Sequence, residues 1–101
     1  MTKDRVFLIA YDIKKPETNR FVRSYIENSL KSVRLSESAY AVRTERSDDE
    51  IYDIIEAHLS QFDSELSHED NLSIILLCKP ATVKVNGYTG SWLDENLSRR
   101  Y

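Results

Sequence analysis

The first recognisable element is an unbroken apolar run near the start of the chain. Residues 6 to 11 read VFLIAY, and a single carboxylate, Asp12, follows the run. A strand that is apolar on both sides is typical of the interior of a sheet. The run therefore predicts a central strand, and the next residues, Lys14, Lys15 and Pro16, predict a turn.

Two later segments have the period of amphipathic helices. In the first, apolar residues recur at helical spacing: Phe21, Val22, Tyr25, Ile26 and Leu30. The second starts with a capping box, in which Ser47 and Glu50 can satisfy each other's backbone donors. Its apolar stripe continues to Phe62, where we expect the helix to end: Ile51, Ile54, Ile55, His58, Leu59 and Phe62.

The remaining segments are typical of strands and turns. Residues 33 to 45 predict one long broken strand or two short ones, with the small residues Ala39 and Ala41 on one face. Residues 72 to 78 form a nearly continuous apolar strand, which Pro80 terminates, and this pattern again predicts a sheet interior. A short last strand at 82–85, a turn at Asn86 and Gly87 and a brief helix at 91–97 complete the chain.

This order of elements predicts the fold class. A strand, a helix, a broken strand, a helix and a strand match a ferredoxin-like split βαβ sandwich of the α+β class. Its antiparallel sheet carries both helices on one face. The other face would be apolar and exposed in a single chain, so we expect a homodimer to bury it.

Composition limits the class of protein further. The 101 residues predict one domain, 1–101, in which residues 80–101 form a tail that packs on the partner subunit. With 41% hydrophobic and 31% charged residues, the chain is an ordinary globular sequence without a signal peptide or an apolar run near the ~18 residues of a membrane span. The lone Cys78 lies in an apolar segment and predicts a reducing, cytoplasmic location.

Charge is distributed very unevenly along the chain. Residues 1–46 carry ten Lys and Arg against six Asp and Glu, whereas residues 47–71 carry nine acids and no Lys or Arg. A polyanion would therefore meet the first half of the chain and avoid the middle segment. The acids are also typical of a solvated helix face, which is the simpler interpretation for them.

Several of these residues resemble a known family. The strand that ends in Tyr11, Asp12 and Ile13, the segment LSESAYAV at 35–42, and Trp92-Leu93 followed by Asn96-Leu97 are similar to stand-alone relatives of the CRISPR-associated protein two family. That family comprises ferredoxin-like subunits of the spacer-acquisition complex, and the VapD-type toxin ribonucleases belong to the same superfamily. The likeness covers most of the chain.

The resemblance implies roles for particular residues. Asp12 matches an aspartate that lies near its symmetry mate across the dimer and is proposed to bind a divalent metal such as magnesium. Arg20, with Arg23 one turn on, occupies the region at the start of the first helix in which basic residues recur in the family. Lys14 and Lys15 depart from the family pattern, because they place two charges beside the supposed metal site, where they could draw a phosphate backbone toward Asp12 or neutralise it. The family also has a small hydroxyl residue before the aromatic residue of the second strand, and Ser38 before Tyr40 supports the site in the same way. Asn19 departs from the family, because a paired arginine is common there.

The residues themselves leave the role of Asp12 open. Magnesium prefers carboxylate oxygens and water, so two copies of Asp12 across a dimer axis would suffice for a metal site. An aspartate before a turn is also a routine cap that accepts backbone N–H groups. His58 lies in an apolar stripe and predicts a hydrogen-bonded core or interface histidine, and the two histidines and one cysteine lack zinc spacing.

Two functions from different classes follow. The first is a homodimeric module without robust catalysis that binds RNA, DNA or a protein partner through the basic side of the first helix. The second is a metal-dependent endonuclease that cleaves RNA or DNA with Asp12 and magnesium. A single carboxylate per chain provides few catalytic groups, so the sequence favours the binding module over the enzyme.

Overall fold

The computed structural model describes residues 4–77 of the chain. These residues form four strands and two helices, an α+β arrangement as predicted. The elements in chain order are β1 Arg5–Asp12, α1 Pro16–Ser29, β2 Lys31–Ser36, β3 Ala39–Thr44, α2 Asp48–Ser60 and β4 Asn71–Leu77.

The strands form one sheet in the order β2-β3-β1-β4, and every neighbouring pair is antiparallel. β1 therefore lies inside the sheet, which confirms the interpretation of its apolar run. Residues 33–45 contain two short strands, β2 and β3, joined by a turn at Glu37 and Ser38. The arrangement is compatible with a ferredoxin-like fold.

The main core lies between the sheet and the two helices. Alternate residues of β1 contribute to it, because successive side chains of a strand point to opposite faces. Both helices add their apolar stripes to the same cluster. Its fully buried members include Ile9, Val22, Ile26, Val42, Ile51, Ile55 and Leu59.

Local sequence explains where each helix starts. The predicted turn is confined to Lys14 and Lys15: Pro16 is already the first residue of α1, a position where its missing N–H costs nothing. At the start of α2 the predicted capping box is confirmed: Ser47 Oγ accepts the Glu50 N–H at 3.2 Å, and Glu50 Oε1 accepts the Ser47 N–H at 3.0 Å. Three acids in the first turn also complement the helix dipole.

The end of α2 differs slightly from the prediction. The regular helix ends at Ser60 rather than at Phe62. The chain then closes a Schellman motif, in which Ser64 N–H donates to Leu59 O at 3.0 Å and Asp63 N–H donates to Ser60 O at 3.2 Å. Asp63 has φ 53°, a left-handed conformation that aspartate tolerates better than most residues. This motif fixes the direction in which Phe62 leaves the helix.

The structure shows one of the two neighbours that β4 would need in a sheet interior. Within residues 4–77, β4 pairs with β1, and the predicted strand at 82–85 lies outside the described residues, so the interior position of β4 stays a prediction. Ile75 and Leu76 point to opposite faces and are 49% and 44% exposed. An apolar run shows that both faces of a strand tolerate apolar residues, but it does not specify how many neighbouring strands are present.

The face of the sheet opposite the helices is not simply open. Val6, Val33 and Ala41 are buried there, at 1%, 8% and 0% exposure, and Leu35 and Leu77 pack against them. The expectation that this face is exposed in a single chain is therefore right only in part: Leu8 and Ala10 of β1 are half-buried, and Ile75 is exposed. Ala39 and Ala41 do share this face, as the alternation of residues predicted.

The predictions for Cys78, Pro80, the strand at 82–85, the turn at Asn86, the helix at 91–97 and the tail at 80–101 fall outside the described residues. In the part of the chain that is described, neither helix has the length and apolar character needed to cross a membrane.

Candidate functional site

Most of the candidate residues gather at one end of the sheet. Asp12 ends β1 and pairs with Asn71, the first residue of β4. The turn between β2 and β3 reaches the same end, because Tyr11 N–H donates to Ser38 O at 3.0 Å. α1 begins there after a short turn. We call this region, with Asp12, Ser38 and Asn71, the Asp12 end.

Asp12 is an exposed, ion-paired carboxylate. Its Oδ2 lies 3.0 Å from Lys14 Nζ, and the two side chains are 65% and 58% exposed. Within residues 4–77 the carboxylate accepts no backbone N–H, so Asp12 is not the turn cap that its position could have made it. An exposed pair of this kind contributes little to stability. Its main effect is to neutralise the charge of Asp12 locally.

Asp70 makes the backbone contacts that could have been expected of Asp12. Its Oδ1 accepts the Lys14 N–H and its Oδ2 accepts the Ser67 N–H, each at 2.9 Å. These two backbone hydrogen bonds hold the pKa of the Asp70 carboxyl below its usual value, and the bond from Lys14 has the larger effect. Asp70 thus ties the turn after β1 to the loop before β4. The spacing Ser67-x-x-Asp70 is a sequence signal that could have indicated the local hydrogen bond between Ser67 and Asp70.

We expect Asp70→Asn to destabilise the protein at neutral pH and to reduce its sensitivity to acid. Because the pKa of Asp70 is depressed in the folded chain, its contribution is present above the unfolded pKa and is lost as the pH falls below about 4. Urea midpoints measured from pH 7 to pH 2 should therefore converge for the two proteins at low pH. A constant difference across this range would contradict the assignment.

The residues of one chain do not fit a magnesium site at the Asp12 end. Between residues 4 and 77 no three His, Cys, Asp or Glu side chains form a group that could hold a metal ion. The one exposed strand-end carboxylate, Asp12, is already paired with an ammonium group. A metal would have to displace Lys14, and a single chain would provide only one carboxylate for it.

The basic residues predicted as a binding surface extend from the turn before α1 to the middle of that helix. Lys15 is the N-cap residue and Arg20 follows on the first turns, and both are exposed, whereas Arg23 is half-buried. Within residues 4–77 none of these three forms an ion pair. Lys14 differs from them, because Asp12 already engages its ammonium group.

Ser38 and Tyr40 support the surrounding structure. Tyr40 is 1% exposed, and its hydroxyl donates to Glu27 Oε2 at 2.5 Å, which links β3 to α1. Burial and the neighbouring Glu27 carboxylate raise the pKa of Tyr40. The Arg34 guanidinium lies 5.9 Å from the centre of the Tyr40 ring and donates to the carbonyls of Ser36 and Glu37. The predicted supporting residues are thus placed to hold the turn and the helix.

Aromatic side chains form a second feature that the sequence did not indicate. The rings of Phe21 and Phe62 are stacked, with centroids 4.3 Å apart and planes 11° apart. His58 lies next to them, 5.3 Å from Phe62 and 5.5 Å from Tyr25. Its Nε2 atom is buried without a hydrogen-bond partner in the described chain, so the predicted hydrogen bond is not made by that atom.

Comparison of the chain with protein-family models, with curated proteins and with solved structures found no match. The resemblance to the CRISPR-associated protein two family therefore rests on the residues quoted above.

Proposed function

We propose that this protein is a homodimeric nucleic-acid-binding module with a ferredoxin-like fold, similar in kind to the CRISPR-associated protein two family and without robust catalysis. The observation that carries the proposal is the set of three cations between the N-cap and the middle of α1, Lys15, Arg20 and Arg23. These side chains have no ion-pair partner within residues 4–77. Lys14 joins them at the Asp12 end.

The distribution of charge supports a polyanionic ligand. A phosphate backbone gains affinity when basic side chains displace its condensed counterions, and unpaired cations can do this without first breaking an internal salt bridge. The acids of α2 are exposed on a different helix: Asp48, Asp49, Glu50, Asp53 and Glu56. A strand of nucleic acid can therefore follow the start of α1 without crossing that acidic surface.

The second face of the sheet supports the homodimer. Its centre is apolar, and its margin at Ile75 is 49% exposed. A second copy of the chain that covers this margin would remove apolar surface from water. A dimer would also bring together two sets of basic residues, and paired sites bind one long ligand more tightly than single sites do.

The decisive experiment measures binding of short RNA and DNA strands to the full chain across a range of salt concentrations. We expect affinity to fall steeply as salt rises, because released counterions drive the binding. Sedimentation velocity on the same samples should give a dimer. If no nucleic acid binds at low salt, the basic surface has a protein partner instead, and a monomer would remove the proposed dimer.

The endonuclease remains the second candidate because Asp12 is 65% exposed at the rim of the sheet. We expect Asp12→Asn to tighten nucleic-acid binding by about threefold, since the change removes a negative charge and releases Lys14. Asp53→Asn, on the exposed side of α2, is the matched control and should have no effect. Magnesium-dependent cleavage by the wild type that Asp12→Asn abolishes would instead establish the enzyme.

A further inference from the structure

We propose that Phe62, supported by Phe21, stacks against an unpaired base, so that the ligand of this module is a single strand. This inference rests on the proposed nucleic-acid binding and specifies its ligand class. We call the pair Phe21 and Phe62 the aromatic platform. Phe62 is 48% exposed although it is stacked on Phe21, so nearly half of its surface remains available to a ligand.

The aromatic platform is held in place from both helices. Phe21 belongs to α1 and packs against the main core, whereas Phe62 follows the end of α2. Phe62 N–H donates to Leu59 O at 3.0 Å, and the Schellman motif that follows fixes the backbone. The His58 ring packs against Phe62 in a T-shaped contact at 5.3 Å. A ring held in this way loses little conformational freedom when a base stacks on it.

The neighbouring charges favour a nucleic acid as the occupant. Arg20 precedes Phe21 directly in α1 and is exposed, whereas Phe21 is half-buried, so the cation lies on the solvent side of the helical turn that carries Phe21. Single-strand-binding surfaces combine such cations for the phosphates with aromatic rings for the bases. In a duplex the faces of the bases are covered by stacking on one another, so a duplex would contact only the cations.

Another exposed aromatic residue lacks this combination and therefore serves as a control. Tyr52 is 37% exposed on α2, but its neighbours on the helix surface are acids, among them Asp49 and Glu56. A phosphate backbone would be repelled there. Tyr52 is similar to Phe62 in ring size and is also exposed, but no Lys or Arg lies within one helical turn of it in the sequence, whereas Arg20 adjoins Phe21.

Acids beside the aromatic platform restrict the path of the strand. Asp63 follows Phe62, and Glu17 lies one helical turn before Phe21. The phosphates must therefore run along the Arg20 side and away from Asp63. Asp63→Asn keeps a residue that tolerates the left-handed conformation and removes this charge. We expect it to tighten single-strand binding about twofold to threefold.

The main test compares Phe62→Leu, Phe62→Tyr and Tyr52→Leu in binding to a single strand that contains 2-aminopurine. We expect Phe62→Leu to weaken binding by roughly tenfold, because stacking on an aromatic ring is lost. Tyr52→Leu should bind as the wild type does, and Phe62→Tyr, which keeps an aromatic ring, should recover the affinity that Phe62→Leu loses. The fluorescence of 2-aminopurine, which falls when the base stacks, should be quenched by the wild type and not by Phe62→Leu.

The outcomes separate this inference from the proposed function. Unchanged affinity and quenching in Phe62→Leu, with binding that still depends on Arg20 and Arg23, would overturn the aromatic platform and leave the nucleic-acid-binding module standing. A preference for duplex over single strand would overturn it as well. Absence of binding to either form would remove both. Because Phe62→Tyr preserves the packing, its retention of wild-type affinity identifies the ring as the cause.

Discussion

The double substitution of Arg20 and Arg23 by alanine should weaken nucleic-acid binding at least tenfold at low salt and make its salt dependence less steep. Each phosphate contact to a single strand contributes about 0.7 to the slope of log affinity against log salt, so the loss of two contacts should lower the slope by about 1.4. The two side chains lie one turn apart on α1 without ion-pair partners in residues 4–77, so neither has to break an ion pair of the described chain to meet a phosphate.

The matched control replaces Lys31 and Arg46 by alanine. Both are exposed, and both lie at the opposite end of the sheet, where β2 begins and β3 has ended. This variant loses the same net charge, but we expect it to retain nearly all of the affinity and salt slope. Equal losses in the two double variants would show that net charge alone drives binding and would contradict a localised surface at the Asp12 end.

Replacement of Ile55 by alanine should lower the free energy of unfolding by about 3 kcal/mol, within the range for a large-to-small change in a core. Ile55 is 0% exposed on the buried face of α2, between the equally buried Ile51 and Leu59. Alanine is the best helix former, so the helix itself gains from the change. The loss therefore measures the cavity between α2 and the sheet, and urea unfolding at neutral pH would quantify it.

Ile54→Ala is the control for this prediction. The same two residue types are exchanged one position earlier in the same helix, where the side chain is only partly buried against the core. We expect Ile54→Ala to lower the free energy of unfolding by about 1 kcal/mol, since less apolar surface leaves water at this position on folding. Equal costs at the two positions would contradict the orientation of α2. That orientation also places Phe62 beside Phe21, so it bears directly on the aromatic platform.

Local patterns predicted most of the secondary structure because their causes are local. The capping box at Ser47 and Glu50 was predicted because it forms within four residues. Pro16 was predicted in the turn, but its ring geometry also suits the first position of a helix, where the structure places it. The order of the four described strands, β2-β3-β1-β4, could not be predicted in this way. Strand order depends on which strands pair across the whole domain, and an apolar run is compatible with several orders.

The candidate site also combines features that the sequence indicated with features that it did not. The sequence indicated Asp12 and the basic residues of α1, since each occupies a recognisable position at the end of a strand or on a helix face. It did not indicate that Asp70, separated from Lys14 by 56 positions, holds the turn after β1. The stack of Phe21 on Phe62 was equally hidden, because their contact depends on how two helices cross.

The sequence by itself determined the α+β class, the bounds of most elements and the segregation of acidic from basic residues, because periodicity, capping and charge are properties of neighbouring positions. Only the tertiary structure decided which carboxylate caps the turn after β1, which cations have no ion-pair partner within residues 4–77 and which aromatic rings meet at the surface. Each of these depends on the distance between side chains that are remote in the chain, and packing of the helices on the sheet sets that distance.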